Sequence, residues 1–206
     1  MVRMLSDGHE RGHSGARVRV VLAAAVLMIA PGSVPAAAGR EDAMPDVSVH
    51  QEKGVYAVNA RFEVPQSPAA VIAVLTDYGD IPRFMPDVTR SIVRERSEGG
   101  AVVEQEAVSR VSVFSKRVHL VLEVTEEGGL VRFRDRCGRS FTHYEGSWRV
   151  AEVRTSTEIT YQLNARPSFD VPNFLLTRVL KRNATRMIDQ LRDEIASRAE
   201  ETAVQR

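Results

Sequence analysis

The side chains able to move a proton or hold a metal are few and scattered: Asp135, His119, His143, Cys137 and Tyr144. Asp135 shares strand parity with Val131, Phe133 and Cys137, so it should point where those residues point. A carboxylate there is costly unless paired or protonated. Two roles remain open for it. One is a strand end reaching solvent or a nearby arginine; the other is a polar contact inside a pocket, or a general acid of raised pKa. His143 precedes Tyr144, so alternation puts them on opposite faces, and without a bulge they cannot act on one ligand. Lone histidines on strands, here His119 and His143, are more often surface or structural residues than catalysts. Cys137 reads as a small buried hydrophobe. With His143 it makes two metal ligands where three or four are wanted, so no metal site is expected. No G-x-S-x-G, Walker A or G-x-G-x-x-G pattern occurs. No catalytic residue and no cofactor is assigned.

What the sequence supplies in number is apolar side chains that could line a pocket. They are Phe84, Met85, Val131, Phe133, Tyr144, Trp148, Tyr161, Phe174 and Leu175, with Asp135 as a polar contact among them. Any one of them could simply fill a core; taken together they suit a lined cavity. Trp148 and Tyr161 each carry a polar atom that needs a partner when buried and could orient a ligand.

These residues need elements to hold them. Residues 39–53 are polar and read as a tether or an initial edge segment. From Val55 the alternation of Tyr56, Val58, Ala60, Phe62 and Val64 predicts a half-buried strand. Ser67 is a good N-cap and Pro68 suits the first helical position of a short helix carrying Val71, Ile72, Val74 and Leu75. A second helical turn spans Asp80 to Phe84 and closes at Pro86. Strands follow over 88–96, 102–113, 118–125, 130–137, 141–152 and 157–165, joined by short Gly- or charge-bearing turns, which argues for antiparallel hairpins. Asp170 to Ala199 is one helix, capped by Asp170, with an apolar face through Val171, Leu175, Val179, Met187, Leu191 and Ile195. Glu194 and Arg198 pair on its outer side.

The order predicts an α+β fold, a curved antiparallel sheet of about seven strands wrapped on a long C-terminal helix, with two short helices after the first strand. A straight helix cannot touch a curled sheet everywhere, and the space between them is a cavity. The run Tyr78-Gly79-Asp80-Ile81-Pro82-Arg83-Phe84-Met85-Pro86, followed by Val88 and Ser91-Ile92-Val93, Gly146-Ser147-Trp148-Arg149-Val150 and Val171-Pro172-Asn173-Phe174-Leu175 carry a family likeness. The chain resembles the START-related helix-grip (SRPBCC) superfamily, in particular its polyketide cyclase/dehydrase and coenzyme Q-binding branch, over roughly residues 50–198. The resemblance implies a hydrophobic ligand in an internal cavity.

The N-terminus implies a destination. Arg11, Arg17 and Arg19 precede the apolar run Val20 to Ala30, Pro31-Gly32 breaks it, and Ala36-Ala37-Ala38 offers a cleavage site. That order is a secretory signal peptide, expected to be cut after Ala38 and to release a periplasmic or secreted chain. Beyond it lie the polar segment 39–53, a ligand-binding domain over 54–199 and a tail over 200–206. Cutting there lowers Lys+Arg from 28 to 24 and Asp+Glu from 27 to 25, so the net charge passes from +1 to −1. A near-neutral domain gives no case for nucleic acid. Arg178, Lys181, Arg182 and Arg186 are either a solvated helix face or a docking patch for anionic lipid headgroups.

Three functions fit. The first is an exported carrier of a lipid or other hydrophobic small molecule. The second is a polyketide cyclase or dehydratase using Asp135, His119 or Tyr144 as acid or base. The third is a docking module with a filled core.

Overall fold

The computed structural model describes residues 45–111, 114–170 and 172–205. The expected signal segment with its cut at Ala38 lies outside them, as does Val171. The alternating run folds as expected. Tyr56, Val58, Ala60, Phe62 and Val64 are buried on one face of β2 (Val55–Val64), and Arg61 and Glu63 are exposed on the other. Ahead of it, β1 (Asp46–Glu52) pairs antiparallel with β2. The two are joined by Lys53 and Gly54, with φ of 49° and 81°. A two-residue turn with both φ positive matches the twist of the strands it connects. The tether or edge segment is thus an edge strand with Val47 buried, and the sheet has eight strands instead of about seven.

Ser67 caps α1 (Pro68–Leu75) by accepting a hydrogen bond from the Ala70 amide at 3.3 Å. A single turn, α2 (Ile81–Phe84), follows. The meander is β3 (Val88–Ser97), β4 (Gly100–Val111), β5 (Phe114–Glu127), β6 (Leu130–Asp135), β7 (Phe141–Val153) and β8 (Ser156–Pro167). Every pairing is antiparallel, in the order β1-β2-β8-β7-β6-β5-β4-β3. Pairing of β8 with β2 sets the last strand beside the second. The inner face carries Val58 opposite Leu163, Trp148 opposite Tyr161, Val124 opposite Phe133 and Val103 opposite Leu122.

The last element is α3 (Asn173–Val204), 32 residues or roughly 48 Å at the ordinary helical rise. It begins at Asn173, not Asp170: Pro172 occupies the cap position and no side chain caps the turn. The Asn173 amide oxygen instead accepts from the Tyr56 hydroxyl at 2.7 Å, tying the helix start to β2. Along its length α3 lies against β1 and β2, meets α1 and α2, and approaches β4. Among the described residues no helix is long and apolar enough to cross a membrane.

One expectation about this helix is corrected. The Glu194–Arg198 pair is not on the outer side, since Glu194 is only 5% exposed. The α1–α2 connection covers it. Arg83 and Arg198 both bond Glu194, Arg198 reaches Asp77 at 2.9 Å and Asp80 at 2.6 Å, and Arg83 reaches Asp80 at 2.8 Å. Two arginines and three carboxylates thus clamp the short helices onto the long one.

Candidate functional site

Between α3 and the concave face of the sheet lies a cavity of about 320 Å³. Strands β1, β2 and β4 take the helix's weight, and the strands between stand off from it. The wall is mostly aliphatic and aromatic. β5 contributes Val118, Leu120, Leu122 and Val124; β6 contributes Val131 and Phe133; β7 contributes Phe141, Tyr144 and Trp148; β8 contributes Tyr161, Leu163 and Ala165. Ile81, Phe84 and Met85 close one side from α2 and the residue after it.

The helix supplies Leu180, Ala184, Met187 and Leu191. At about 100° per residue these four fall within roughly 60° of one another. A spacing of four, by contrast, drifts about 40° per step, so Leu175 ends roughly 160° away from Leu191. That is why Leu175 and Phe174, expected in the lining, do not reach it; Phe174 is 78% exposed. The other seven apolar candidates, Phe84, Met85, Val131, Phe133, Tyr144, Trp148 and Tyr161, do line it.

Asp135 does not line the cavity. Its carboxylate accepts from the amides of Val121 at 2.8 Å, Gly138 at 3.0 Å and Cys137 at 3.2 Å. Three backbone donors make it a latch where β6 ends, neither a solvent-facing residue nor a pocket acid. Cys137 sits in the bend after the strand, half-buried, with its thiol toward the same carboxylate at 3.5 Å. His119 and His143 both stand outside the cavity: His143 faces Glu145 at 3.4 Å. His119 lies on the outer face beside Glu104 and Glu106, their donor atoms within 4.8 Å of one another. Both carboxylates of that trio are taken up by ion pairs. Arg94 donates to Glu104 at 2.7 Å and holds its carboxyl below the usual range, and Arg90 lies 3.5 Å from Glu106.

Sequence alternation misses Phe141. An irregularity in register between Phe141 and His143 inserts an extra residue, so Phe141 and Tyr144, three apart, share the inner face with ring centroids 4.8 Å apart. Phe133 lies opposite Gly146, between Tyr144 and Tyr161 at centroid distances of 6.0 and 6.4 Å. The glycine is required there: a Cβ would lie 2.6 Å from the Phe133 ring and 2.3 Å from the Gln162 carbonyl. Without a side chain at 146 the Phe133 ring can lie down across β7. The aliphatic part of the wall, Val118, Leu120, Leu122 and Val124 on β5 with Leu163 and Ala165 on β8, alternates along its strands but was not named among the candidates.

Polar residues also reach the cavity, namely Asp87, Gln105, Ser109, Asn183, Arg186 and Gln190. Arg186 is exposed and pairs with Asp87 at 3.0 Å, joining α3 to the α2–β3 connection where the cavity meets solvent.

A family model described as "polyketide cyclase / dehydrase and lipid transport" matches residues 56–200, nearly the whole described fold. The chain belongs to that family. Among solved structures, this family member is similar to a START superfamily protein from Mycobacterium smegmatis (14% identity, 68% of this chain and 97% of that one, TM-score 0.59). It is similar to the Zhui aromatase/cyclase from a Streptomyces species (15%, 70% and 96%, TM-score 0.60). It also resembles a STAR-related lipid transfer protein from Xanthomonas axonopodis (15%, 74% and 99%, TM-score 0.56). At such identities the likeness is one of fold. No curated protein matches the chain.

All four tyrosines of this family member titrate above their ordinary value of 10.0, chiefly because burial disfavours the phenolate. Tyr144 is pushed up to about 12, first by burial and then by the Asp135 carboxylate. Since the folded value exceeds the unfolded one, the stabilisation is complete below pH 10 and disappears as pH climbs toward 12. Near pH 10 the folded protein is therefore expected to show well under half the tyrosinate absorbance of the denatured chain, with stability falling steeply above it. Half-ionisation of a still-folded protein at pH 10 would contradict this burial.

Proposed function

We propose that the protein is an exported binding or carrier protein for a hydrophobic small molecule or lipid. The observation that carries this reading is the apolar cavity of about 320 Å³. An unfilled apolar void costs stability, roughly 24 cal/mol per Å³ in measured cores, so a cavity this size is worth several kcal/mol to a guest that fills it. Export is supported by the basic, apolar, breaker and small-residue order of residues 11–38.

The placement of the acid and base candidates favours carriage over proton-transfer catalysis. Asp135, His119 and His143 do not line the cavity, and Tyr144, which does, is held near 12, far from a working acid or base at neutral pH. Gentle purification, organic extraction and mass spectrometry test the reading. A hydrophobic compound recovered in proportion to protein supports it; protein that carries none and takes up no apolar probe sinks it.

The carrier reading includes a membrane contact. Arg178 and Lys181 are exposed, and Phe174, one turn before Arg178, is an exposed aromatic on the same side of the helix. Each such charge is worth about 1 kcal/mol near an anionic bilayer. Replacing Arg178 and Lys181 by Glu is expected to lower co-sedimentation with phosphatidylserine-containing vesicles at least about tenfold. Equal sedimentation of the two proteins would remove this face from the account.

A further inference from the structure

Among the aromatic residues of the cavity wall, two carry hydroxyls that a container for plain hydrocarbon does not need. Tyr56 and Tyr78 have hydroxyls satisfied by the protein, on Asn173 and Glu126, each at 2.7 Å. Tyr144 and Tyr161 line the cavity, and among the described residues neither hydroxyl has a hydrogen-bond partner. Tyr161 is only 5% exposed. Tyr144 keeps part of its surface accessible although protein surrounds it, because that surface faces the hollow interior. Both rings pack on Phe133, at centroid distances of 6.0 and 6.4 Å, so one stretch of the wall carries the two phenols.

Packing does not explain the hydroxyls. Tyr161 lies on Trp148 at a centroid distance of 4.3 Å, and Tyr144 on Phe141 at 4.8 Å. A phenylalanine would make both contacts without placing an unmatched hydroxyl in an apolar wall. Because burial keeps both phenols protonated, each is a standing O–H donor. The one arginine of the lining, Arg186, is already paired with Asp87 at the solvent edge. A carboxylate or phosphate beside the phenols would be desolvated with no counter-charge.

Resting on the carrier reading, we propose that Tyr144 and Tyr161 form a donor pair that takes an uncharged acceptor oxygen, that of a ketone or similar carbonyl, on an otherwise apolar guest. The cavity then selects carbonyl-bearing apolar molecules over pure hydrocarbons and over anionic lipids held by their headgroups. A site built around hydrogen-bond donors discriminates against the ligand that leaves them unpaired.

Fluorenone and fluorene test this, because they share a ring system and differ by one carbonyl oxygen. Each is used to displace bound N-phenylnaphthylamine, an apolar fluorescent probe without an acceptor oxygen. From the unaltered protein, fluorenone should displace the probe at about tenfold lower concentration than fluorene, the worth of one good hydrogen bond. The carbonyl stretch of bound fluorenone should move to lower frequency. In the double variant Tyr144→Phe/Tyr161→Phe the probe should still bind, the preference should vanish and the infrared shift should be lost. Equal displacement by the two compounds, or a preference and shift that survive the double replacement, overturns the donor pair and leaves the carrier reading standing. Failure of the unaltered protein to bind the probe removes the carrier reading itself, and the donor pair with it. Each single variant, checked for unchanged thermal unfolding, guards against a double variant that fails to fold.

Discussion

Replacing Ala184 by Phe is expected to abolish uptake of an apolar guest while leaving the protein as stable as before, or more so. Ala184 sits in the middle of α3, is only 6% exposed, and presents its methyl group to the cavity between Leu180 and Met187. A phenyl ring there occupies the space a guest would use. Each methylene-sized contact a guest loses is worth about 0.8 kcal/mol, so losing three or four lowers affinity about a hundredfold. In a filled core the same change would force side chains off their rotamers and cost about 1–3 kcal/mol. Probe titration and thermal unfolding of the variant therefore give opposite answers for a hollow and a packed interior. Retained affinity, or a large loss of stability, would count against the cavity.

The second large effect concerns the clamp. Glu194→Ala is expected to lower stability by about 3–5 kcal/mol, because removing one member of a buried ionic network leaves its partners uncompensated. Glu194 is the buried member, its side chain 4% exposed, and both Arg83 and Arg198 converge on it. Exposed pairs such as Arg134 with Glu123, at 69% and 43%, should contribute below about 1 kcal/mol. Chemical denaturation of Glu194→Ala beside Glu123→Ala measures the contrast. A loss under about 1 kcal/mol for Glu194→Ala would show that α1 and α2 are held by apolar packing alone.

Much of the fold was legible because alternation and capping are local. Tyr56 to Val64, Ser67-Pro68 and Ile159 to Ala165 each announce their element within one stretch of chain. What was not legible depended on distant partners. Val47 and Val49 are too few to mark a strand until the Lys53-Gly54 turn folds β1 onto β2. Glu194 reads as a surface residue until Arg83, over a hundred positions earlier, is placed above it. Parity put Asp135 on the cavity side, but not the three amides that claim its carboxylate. Phe174 and Leu175 were counted among the apolar residues of the lining, and the helix's phase turns them elsewhere. The aromatic cluster of Phe133, Tyr144, Trp148 and Tyr161 was legible, because bulky residues on one strand parity have few other places to go.

The central claim is that the space beneath α3 accepts a guest, and the stoichiometry of probe binding measures it directly. Titrating the chain with N-phenylnaphthylamine should give saturable fluorescence enhancement at one site per chain, accompanied by a rise in unfolding temperature, since a ligand of the folded state alone stabilises it. Weak, unsaturable enhancement with no rise in unfolding temperature would mean that the interior admits nothing.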